Sequence, residues 1–385
     1  MNQSYLGIKL FGSRISQKLF FERLDFLKNE IDNFIFYLVI AGTETSQIQG
    51  ISAAGINSKS RKKTALADAE LLLFGASKNH KYKLPFLKAG VTPSLISYVC
   101  SKLISATPII VPIGIKEKPY FSHLFVENYL AGPAKCLSTG KAMNKDRVMS
   151  LYSKGLEFGK ASSKPIFISE SVPGGTTTAQ AVMEAFGLNV KNLVGSSLIN
   201  APRSLKTKII NAGLAKANFN NHFDSIDVIA CVGDPFQAFS MGLLIGARIA
   251  NQAVVLSGGS QMLAVILLAL EFIEANEKQE FIDLVFIATT GWLVKDNSLN
   301  DLLDLITEKH NVNLLGLASP LNFKSSKYKE LIDYEMGYVK EGVGAGGMSI
   351  FAYLKGFSNE EIVSMCQINL EMMKDLGQIS SDEAF

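Results

Sequence analysis

Near its middle the chain reads Pro165-Ile-Phe-Ile-Ser-Glu170-Ser-Val-Pro-Gly174-Gly175-Thr176-Thr177-Thr178. The apolar run at 165–169 leads into two glycines and three hydroxyl residues, and a segment of helical periodicity then spans 179–186. Continuous apolar runs of this length are typical of strands that are buried on both faces of a parallel sheet. The stretch therefore predicts a strand, a glycine turn and a helix, which is the repeating unit of α/β folds.

The same unit recurs on both sides of this stretch. Five further apolar runs predict strands, at residues 34–40, 107–113, 227–232, 253–256 and 284–288. Segments of helical periodicity lie between them, among them 206–217 and 235–250. We therefore expect an α/β fold with a doubly wound, mostly parallel sheet and helices on both faces.

The two ends of the chain differ from this pattern. Residues 13–32 have the spacing of an amphipathic helix, and residues 357–379 begin with Ser358 and Glu361 at the spacing of a capping box. We expect the two terminal helices to pack together as one small helical lobe. This interpretation assigns 1–32 and 351–385 to the lobe and 33–350 to the main domain.

The composition excludes several classes of protein. Of the 385 residues 48% are hydrophobic and 19% are charged, which is too apolar for a disordered chain. Lys and Arg (38) nearly balance Asp and Glu (35), and the net charge of +3 gives no basic field for nucleic acid. The longest apolar run, 262–270, is far shorter than the roughly 20 residues of a membrane span.

Cysteine and histidine residues are scattered along the chain. The four cysteines are at positions 100, 136, 231 and 366, and the four histidines are at 80, 123, 222 and 310. They form no CxxC pair and no local cluster. This spacing predicts free thiols in a reducing compartment and no metal site. Because no apolar segment of signal-peptide type follows the first basic residues, we expect a cytoplasmic protein.

Ligands of doubly wound sheets bind where strands end, so the strand-end turns are the candidate site. After the strand at 165–169, backbone amides of Gly174 and Gly175, the hydroxyls of Thr176 and Thr177 and a helix N-terminus could bind a phosphate. Glu170 could accept hydrogen bonds from ribose hydroxyls. A plain turn with threonine caps explains the same residues equally well.

A second acidic residue precedes the glycine-rich stretch Gly342-Val-Gly344-Ala-Gly346-Gly347. Glu341 could act as a general base if apolar walls raise its pKa, or it could be an ordinary solvated loop carboxylate. Two other turns, Ser257-Gly258-Gly259-Ser260 and Thr43-Glu44-Thr45, could line a ligand or serve only as sharp turn and cap. Together the turns indicate a phosphosugar or nucleotide ligand.

In chain order, from about residue 34 to 350, these segments resemble the nicotinate-nucleotide:dimethylbenzimidazole phosphoribosyltransferase family, in a divergent branch often called CobT-like. Glu170-Ser-Val-Pro-Gly174-Gly175-Thr176-Thr177 is similar to the family's Glu-Met-Gly-x-Gly-Asn-Thr-Thr, and Lys340-Glu341-Gly342-Val-Gly344-Ala345 to its Gly-Glu-Gly-Ser-Gly-Ala. Asn128-Tyr-Leu-Ala-Gly132-Pro133-Ala134 is similar to its Asn-Phe-x-x-Gly-Pro-Ala.

The resemblance implies a reaction and a set of roles. Glu341 is the implied general base for an aromatic nitrogen base, benzimidazole or purine, that attacks C1′ of nicotinate mononucleotide and displaces nicotinate with inversion. The product is the α-ribotide of a cobamide lower ligand. The implied substrate-binding residues are Glu170 at the ribose, Gly174, Gly175, Thr176, Thr177 and Lys208 at the phosphate, and Ser257, Gly258 and Gly342. The resemblance also implies a homodimer, with no metal and no cofactor.

The sequence departs from the family pattern at three turns. Thr43-Glu44-Thr45 replaces Asp-His-Gly, Ser257-Gly258-Gly259 replaces Asp-Gly-Phe, and Gly175 replaces Asn in the phosphate turn. These changes affect the pocket for the aromatic base more than the phosphate site. Two other interpretations therefore stay open. One is a non-catalytic nucleotide-binding relative that keeps the phosphate site. The other is a hydrolase or another glycosyl-transfer enzyme, in which water or another nucleophile replaces the aromatic base.

Overall fold

The computed structural model describes residues 4–12, 16–52, 54–55, 57–195, 202–219 and 222–379. These residues form one eight-stranded sheet in the order β1-β2-β8-β7-β6-β5-β3-β4. The strands are β1 (Ser4–Tyr5), β2 (Ile8–Phe11), β3 (Ile35–Ala41), β4 (Pro108–Ile113), β5 (Ile166–Ser171), β6 (Val254–Ser257), β7 (Val285–Thr290) and β8 (Leu315–Ser319).

Helices connect the strands and cover both faces of the sheet. They are α1 (Gln17–Glu30), α2 (Ser58–Phe74), α3 (Ser94–Leu103), α4 (Lys145–Lys160), α5 (Gly175–Ala185), α6 (Arg203–Ala217), α7 (Ser225–Val232), α8 (Pro235–Ile249), α9 (Ser260–Phe272), α10 (Lys278–Ile282), α11 (Ser298–His310), α12 (Lys329–Glu335), α13 (Ala345–Leu354) and α14 (Asn359–Asp375).

The sheet confirms the doubly wound α/β prediction. Strands β8, β7, β6, β5, β3 and β4 pair in parallel, and β1 and β2 add an antiparallel hairpin at the β8 edge. Side chains of β3 alternate between two cores: Tyr37 and Val39 belong to one, Phe36 and Leu38 to the other. Burial on both faces is the reason that the strands are continuous apolar runs in the sequence.

One predicted strand is wrong. Residues 227–232 form the end of α7, because the Asp224 side chain accepts a hydrogen bond from the Asp227 amide and Asp227 reciprocates in a capping box. A short apolar run does not by itself distinguish a buried strand from a buried helix. The strand at β8 and the hairpin of β1 and β2 were not predicted.

The capping box of Ser358 and Glu361 opens α14 as predicted. Apolar side chains of α1 and α14 lie in the same core as those of α2, α3 and α13, and β2 pairs with β8 of the main sheet. The division into a main domain and a small terminal lobe stays a prediction. Residues 1–3, 13–15 and 380–385 of the predicted lobe lie outside the described part of the chain.

Helices α4 and α8 cross at backbone contact, and glycines make this possible. A Cβ added at Gly155 would lie 2.1 Å from the carbonyl oxygen of Phe239, and one at Gly242 would lie 2.1 Å from that of Tyr152. Neither approach leaves room for a methyl group.

Gly155→Ala should therefore lower the melting temperature. Alanine raises helix propensity by about 1 kcal/mol over glycine, but overpacking typically costs about 1–3 kcal/mol and the clash here is with backbone. Thermal unfolding monitored by circular dichroism checks this, with Ser153→Ala on the exposed face of α4 as the matched control. A Gly155→Ala protein that melts at or above the wild-type temperature would contradict the packing described.

Across the described ranges, no helix has both the length and the apolar character needed to cross a membrane.

Candidate functional site

A cavity of about 560 Å³ opens at the carboxyl end of β5. This position and this volume are usual for small-molecule sites in doubly wound sheets. Its polar wall includes Glu170, the Gly174–Thr176 turn, Glu341 and Gly342. Its apolar wall is formed by Pro85, Phe86, Leu87, Pro93, Val172, Val339 and Val343.

The Glu341 carboxylate is held by four donors of the chain itself. Oε1 accepts from the amides of Gly342 (3.0 Å) and Gly346 (3.2 Å), and Oε2 accepts from the Thr290 amide (2.7 Å) and the Thr289 hydroxyl (3.0 Å). Burial raises the Glu341 pKa to about 7, although these four bonds act in the opposite direction. The carboxylate therefore joins the end of β7 to the start of α13 and titrates near neutral pH.

The segment that carries Glu341 is strained. Val339, Lys340 and Val343 have φ values of 61°, 67° and 56°. This left-handed region is unfavourable for β-branched residues and costs about 1–3 kcal/mol each. The surrounding contacts must compensate for that cost, and two of them are hydrogen bonds from the Val343 amide to the Glu170 carbonyl and from the Thr290 hydroxyl to the Lys340 carbonyl.

Glu170 and Glu341 thus meet at one cavity although 171 positions separate them (341 − 170). The Glu170 side chain lies at the end of β5, where the Val172 amide lowers its pKa and burial raises it. Burial dominates, and the charges of Asp234, Glu341 and Asp68 add to it, so the Glu170 pKa is raised to about 8. This group is mostly protonated at neutral pH.

A third carboxyl group of the cavity was missed from the sequence. Asp68 of α2 accepts hydrogen bonds from the hydroxyls of Thr92 and Ser171, both 2.7 Å, and burial raises its pKa to about 6. The signal in the sequence is that Asp68 lies inside the Ala- and Leu-rich stretch 64–73. A helix that is apolar on all sides is buried in the protein, so an acidic residue within it is buried too.

The glycine turn opens α5 and packs against a buried polar network. Gly174 is the N-cap of α5 with φ of 85°, and a Cβ at Gly175 would lie 2.5 Å from Nε2 of Gln261. Gln261 in turn donates to the fully buried Asp234, which also accepts from the Thr178 hydroxyl. Gly175 is therefore glycine because a buried polar network packs against the turn.

Lys206, and not Lys208, is the cation at this turn. Lys206 is 1% exposed, and its Nζ lies 3.0 Å from the Thr176 hydroxyl and 3.4 Å from the Gly195 carbonyl, whereas Lys208 is exposed on α6. Burial lowers the Lys206 pKa to about 8. The sequence alone does not distinguish the two lysines, because it does not show which face of α6 is turned towards the core.

The other predicted positions lie outside the cavity lining. The Ser257 hydroxyl accepts from the Gly347 amide (2.9 Å) and fixes the start of α13, and Gly258 follows it. Thr177 is buried in the first turn of α5. Glu44 is exposed, and the adjacent Thr43 supplies the cap by accepting from the Thr45 amide. Among the described residues, no cluster of three potential metal ligands occurs.

The raised pKa values predict that stability falls as the pH rises. The folded protein holds protons on Glu170 up to about pH 8 and on Glu341 up to about pH 7, whereas their ordinary value is 4.5. The folded state binds more protons in this window, so the free energy of unfolding decreases as the pH rises from about 5 to about 8.

Glu170→Gln should flatten that decrease, and urea denaturation across this pH window measures it. The control is Glu308→Gln on the exposed face of α11, which should keep the wild-type slope. A wild-type free energy of unfolding that rises across the window would contradict the burial of these carboxyl groups.

Comparisons with known proteins fit this architecture. A family model described as phosphoribosyltransferase matches residues 94–277. A UPF0284 protein of Prochlorococcus marinus subsp. pastoris is 83% identical over 99% of both chains. One of Gloeothece citriformis is 36% identical over 86% of this chain and 89% of its own.

Two solved structures share the fold. CobT from Thermus thermophilus superposes with a TM-score of 0.59 at 15% identity, covering 90% of this chain and 88% of its own. A nicotinate-nucleotide-dimethylbenzimidazole phosphoribosyltransferase from the same organism gives 0.55 at 16%, covering 90% and 87%. At these identities the likeness concerns the fold alone.

Proposed function

Because the chain belongs to the UPF0284 protein family and residues 94–277 match a phosphoribosyltransferase model, we propose that it transfers a phosphoribosyl group. The donor in this proposal is nicotinate mononucleotide, and the acceptor is an aromatic nitrogen base. The observation that carries it is the convergence of Glu170, Glu341 and the Gly174–Thr176 turn on one cavity.

In this proposal the 5′-phosphate binds at the Gly174–Thr176 turn. The Gly174 and Thr176 amides and the Thr176 hydroxyl donate hydrogen bonds to it, and the α5 dipole favours its charge. The predicted amide donor of Gly175 is not among them, because the Gly175 and Thr177 amides donate to the carbonyls of Val172 (2.8 Å) and Gly174 (3.0 Å). Lys206 supplies a buried ammonium whose described contacts are two neutral oxygens. A bound phosphate would give it a negatively charged partner. Thr177 and Gln261 hold the turn in place: the Thr177 amide donates to the Gly174 carbonyl, and the Gln261 side chain packs against Gly175.

The ribose lies between the turn and the two carboxyl groups. Glu170 contacts the ribose, and in its protonated form it can donate a hydrogen bond there as well as accept one. The apolar wall of the cavity stacks against the flat rings of nicotinate and acceptor. Holding both substrates in contact supplies much of the rate enhancement.

Glu341 takes the proton in the chemical step. One ring nitrogen of the acceptor attacks C1′ from the face opposite nicotinate, and the bond from C1′ to the pyridinium nitrogen breaks. The electron pair of that bond returns to nicotinate, which leaves as a neutral pyridine. The N–H proton of the acceptor passes to Glu341, and the product has the α configuration.

A second candidate function is nucleotide binding without catalysis. It is favoured by one observation, that all four lone-pair positions of the Glu341 carboxylate accept hydrogen bonds from the chain. A ligand at 100-fold over its Kd stabilises a protein by about 2.7 kcal/mol, so thermal shift measures binding in either case.

Mass spectrometry distinguishes the candidates. Reactions contain nicotinate mononucleotide and, in turn, several benzimidazoles and adenine. Transfer predicts a new ribotide mass together with free nicotinate. Thermal stabilisation by the nucleotide without a product from any acceptor indicates the binding function, and nicotinate release without an acceptor indicates a hydrolase. Homodimerisation and a cytoplasmic location stay predictions.

A further inference from the structure

The four hydrogen bonds to Glu341 raise a chemical question for the proposed function. An ionised carboxylate offers about four lone-pair positions, and the chain fills two on each oxygen. A general base must have a position at which it can receive a proton. Once Glu341 has taken a proton, one of its four partners therefore has to accept a hydrogen bond instead of donating one.

Three of the donors are backbone amides, which can only donate. The Gly346 amide lies in the first turn of α13, the Gly342 amide in the loop that leads into α13, and the Thr290 amide at the end of β7. A Cβ at Gly346 would lie 2.1 Å from the carbonyl carbon of Thr289, so α13 and β7 are in backbone contact. Withdrawing the Gly346 or Thr290 amide requires that the two elements separate, and Gly342 is bonded to Glu341 itself.

The fourth donor is a hydroxyl, which can turn. Thr289 is fully buried, and its Oγ1 lies 3.0 Å from Oε2 of Glu341. Rotation about one bond removes its hydrogen from Oε2 while the backbone stays in place. A hydroxyl oxygen can also accept a hydrogen bond, which a backbone amide cannot do. Thr289 can thus donate to the carboxylate and accept from the carboxylic acid.

We propose that Thr289 is a positioning residue that lets Glu341 act as a base in both of its protonation states. Its hydroxyl donates to Oε2 of the ionised carboxylate and turns to accept from the carboxylic acid once Glu341 has taken the proton of the acceptor. This assignment rests on the proposed function, because it presumes that Glu341 is the base.

The charged and titratable groups near Glu341 determine how the effect of a substitution at Thr289 can be measured separately. The titratable or charged groups that line the cavity with Glu341 are Glu170, Asp68, Arg61, Lys88 and Tyr338, and Tyr334 of α12 and the adjacent Lys340 also lie near it. None of them hydrogen-bonds to the Thr289 hydroxyl among the described contacts. Replacing Thr289 therefore changes the donor set of Glu341 without removing a charge.

Thr289→Val tests the proposal, since it keeps the shape and removes the hydroxyl. The ionised Glu341 then loses a donor, and the acid limb of the kcat/KM profile should move to higher pH by about one unit. Thr289→Ser restores the hydroxyl and should return the limb to its wild-type position. Thr307→Val is the matched control, because this buried threonine of α11 donates its hydroxyl to the Asp304 carbonyl, outside the cavity.

A measurement that needs no turnover separates this inference from the proposed function. Carbon-13 NMR of labelled glutamate carboxyls, with Glu341 assigned by its loss in Glu341→Gln, follows the same titration in the free protein. An upward shift in Thr289→Val that Thr289→Ser reverses supports the inference even if no acceptor is turned over. An unshifted limb and an unshifted titration in Thr289→Val would overturn it while leaving the transferase proposal intact.

Discussion

Glu341→Gln is expected to lower kcat about 10²–10⁴-fold, the range that general-base catalysis typically contributes. The substitution keeps the shape of the side chain but leaves no group that can take the proton of the acceptor. The proposed role of Glu341 is at the reacting centre and not at the phosphate, so the Kd of nicotinate mononucleotide should change little. Steady-state kinetics and thermal shift measure the two quantities separately.

Folding has to be controlled in this experiment. The Gln amide places N–H groups against some of the four donors that now face the carboxylate, so the variant should lose stability. Glu341→Asp is the second variant, because it keeps the charge but withdraws the carboxylate by one methylene group. Wild-type turnover by folded Glu341→Gln would remove Glu341 from the chemical step.

Lys206→Met is expected to weaken the binding of nicotinate mononucleotide about 10- to 100-fold, the usual worth of a hydrogen bond to a charged group. In the free protein the ammonium is buried, and its described partners are neutral oxygens of Thr176 and Gly195. Desolvation of an unpaired charge is costly, so the same variant should be more stable than the wild type without ligand.

Lys208→Met is the matched control, because it removes the same charge from the same helix at an exposed position. It should leave both the Kd and the melting temperature near their wild-type values. Isothermal titration calorimetry with the nucleotide and thermal unfolding without it give the two readouts. Equal losses of affinity in both lysine variants would indicate a diffuse charge effect and contradict a specific role of Lys206.

Much of the fold could be predicted because its strands are buried on both faces. Such strands are continuous apolar runs, and the turns after β3, β5 and β6 carry glycines. The error at 227–232 arose because α7 is equally apolar, and its capping box at Asp224 and Asp227 was the signal that should have decided. The antiparallel hairpin of β1 and β2 is too short to show a period.

The site was predicted as far as strand-end turns reveal it. Glu170, Glu341 and the glycine turn lie in segments of unusual composition, and the sheet brings them together. Lys206 was missed because the register of α6 decides which of two lysines is buried, and no residue between them indicates it. The donors to Glu341 are mostly backbone amides, which the sequence does not distinguish from any others.

Proton NMR of the anomeric position in a complete reaction tests the central claim most directly. The sample contains wild-type protein, nicotinate mononucleotide and an acceptor that gave a ribotide by mass spectrometry, or the full acceptor panel if none did. We expect nicotinate to be released only when acceptor is present, with the new H1′ signal in the α configuration. Ribose 5-phosphate as the product, a β-ribotide, or no turnover by folded protein that binds the nucleotide would contradict the account.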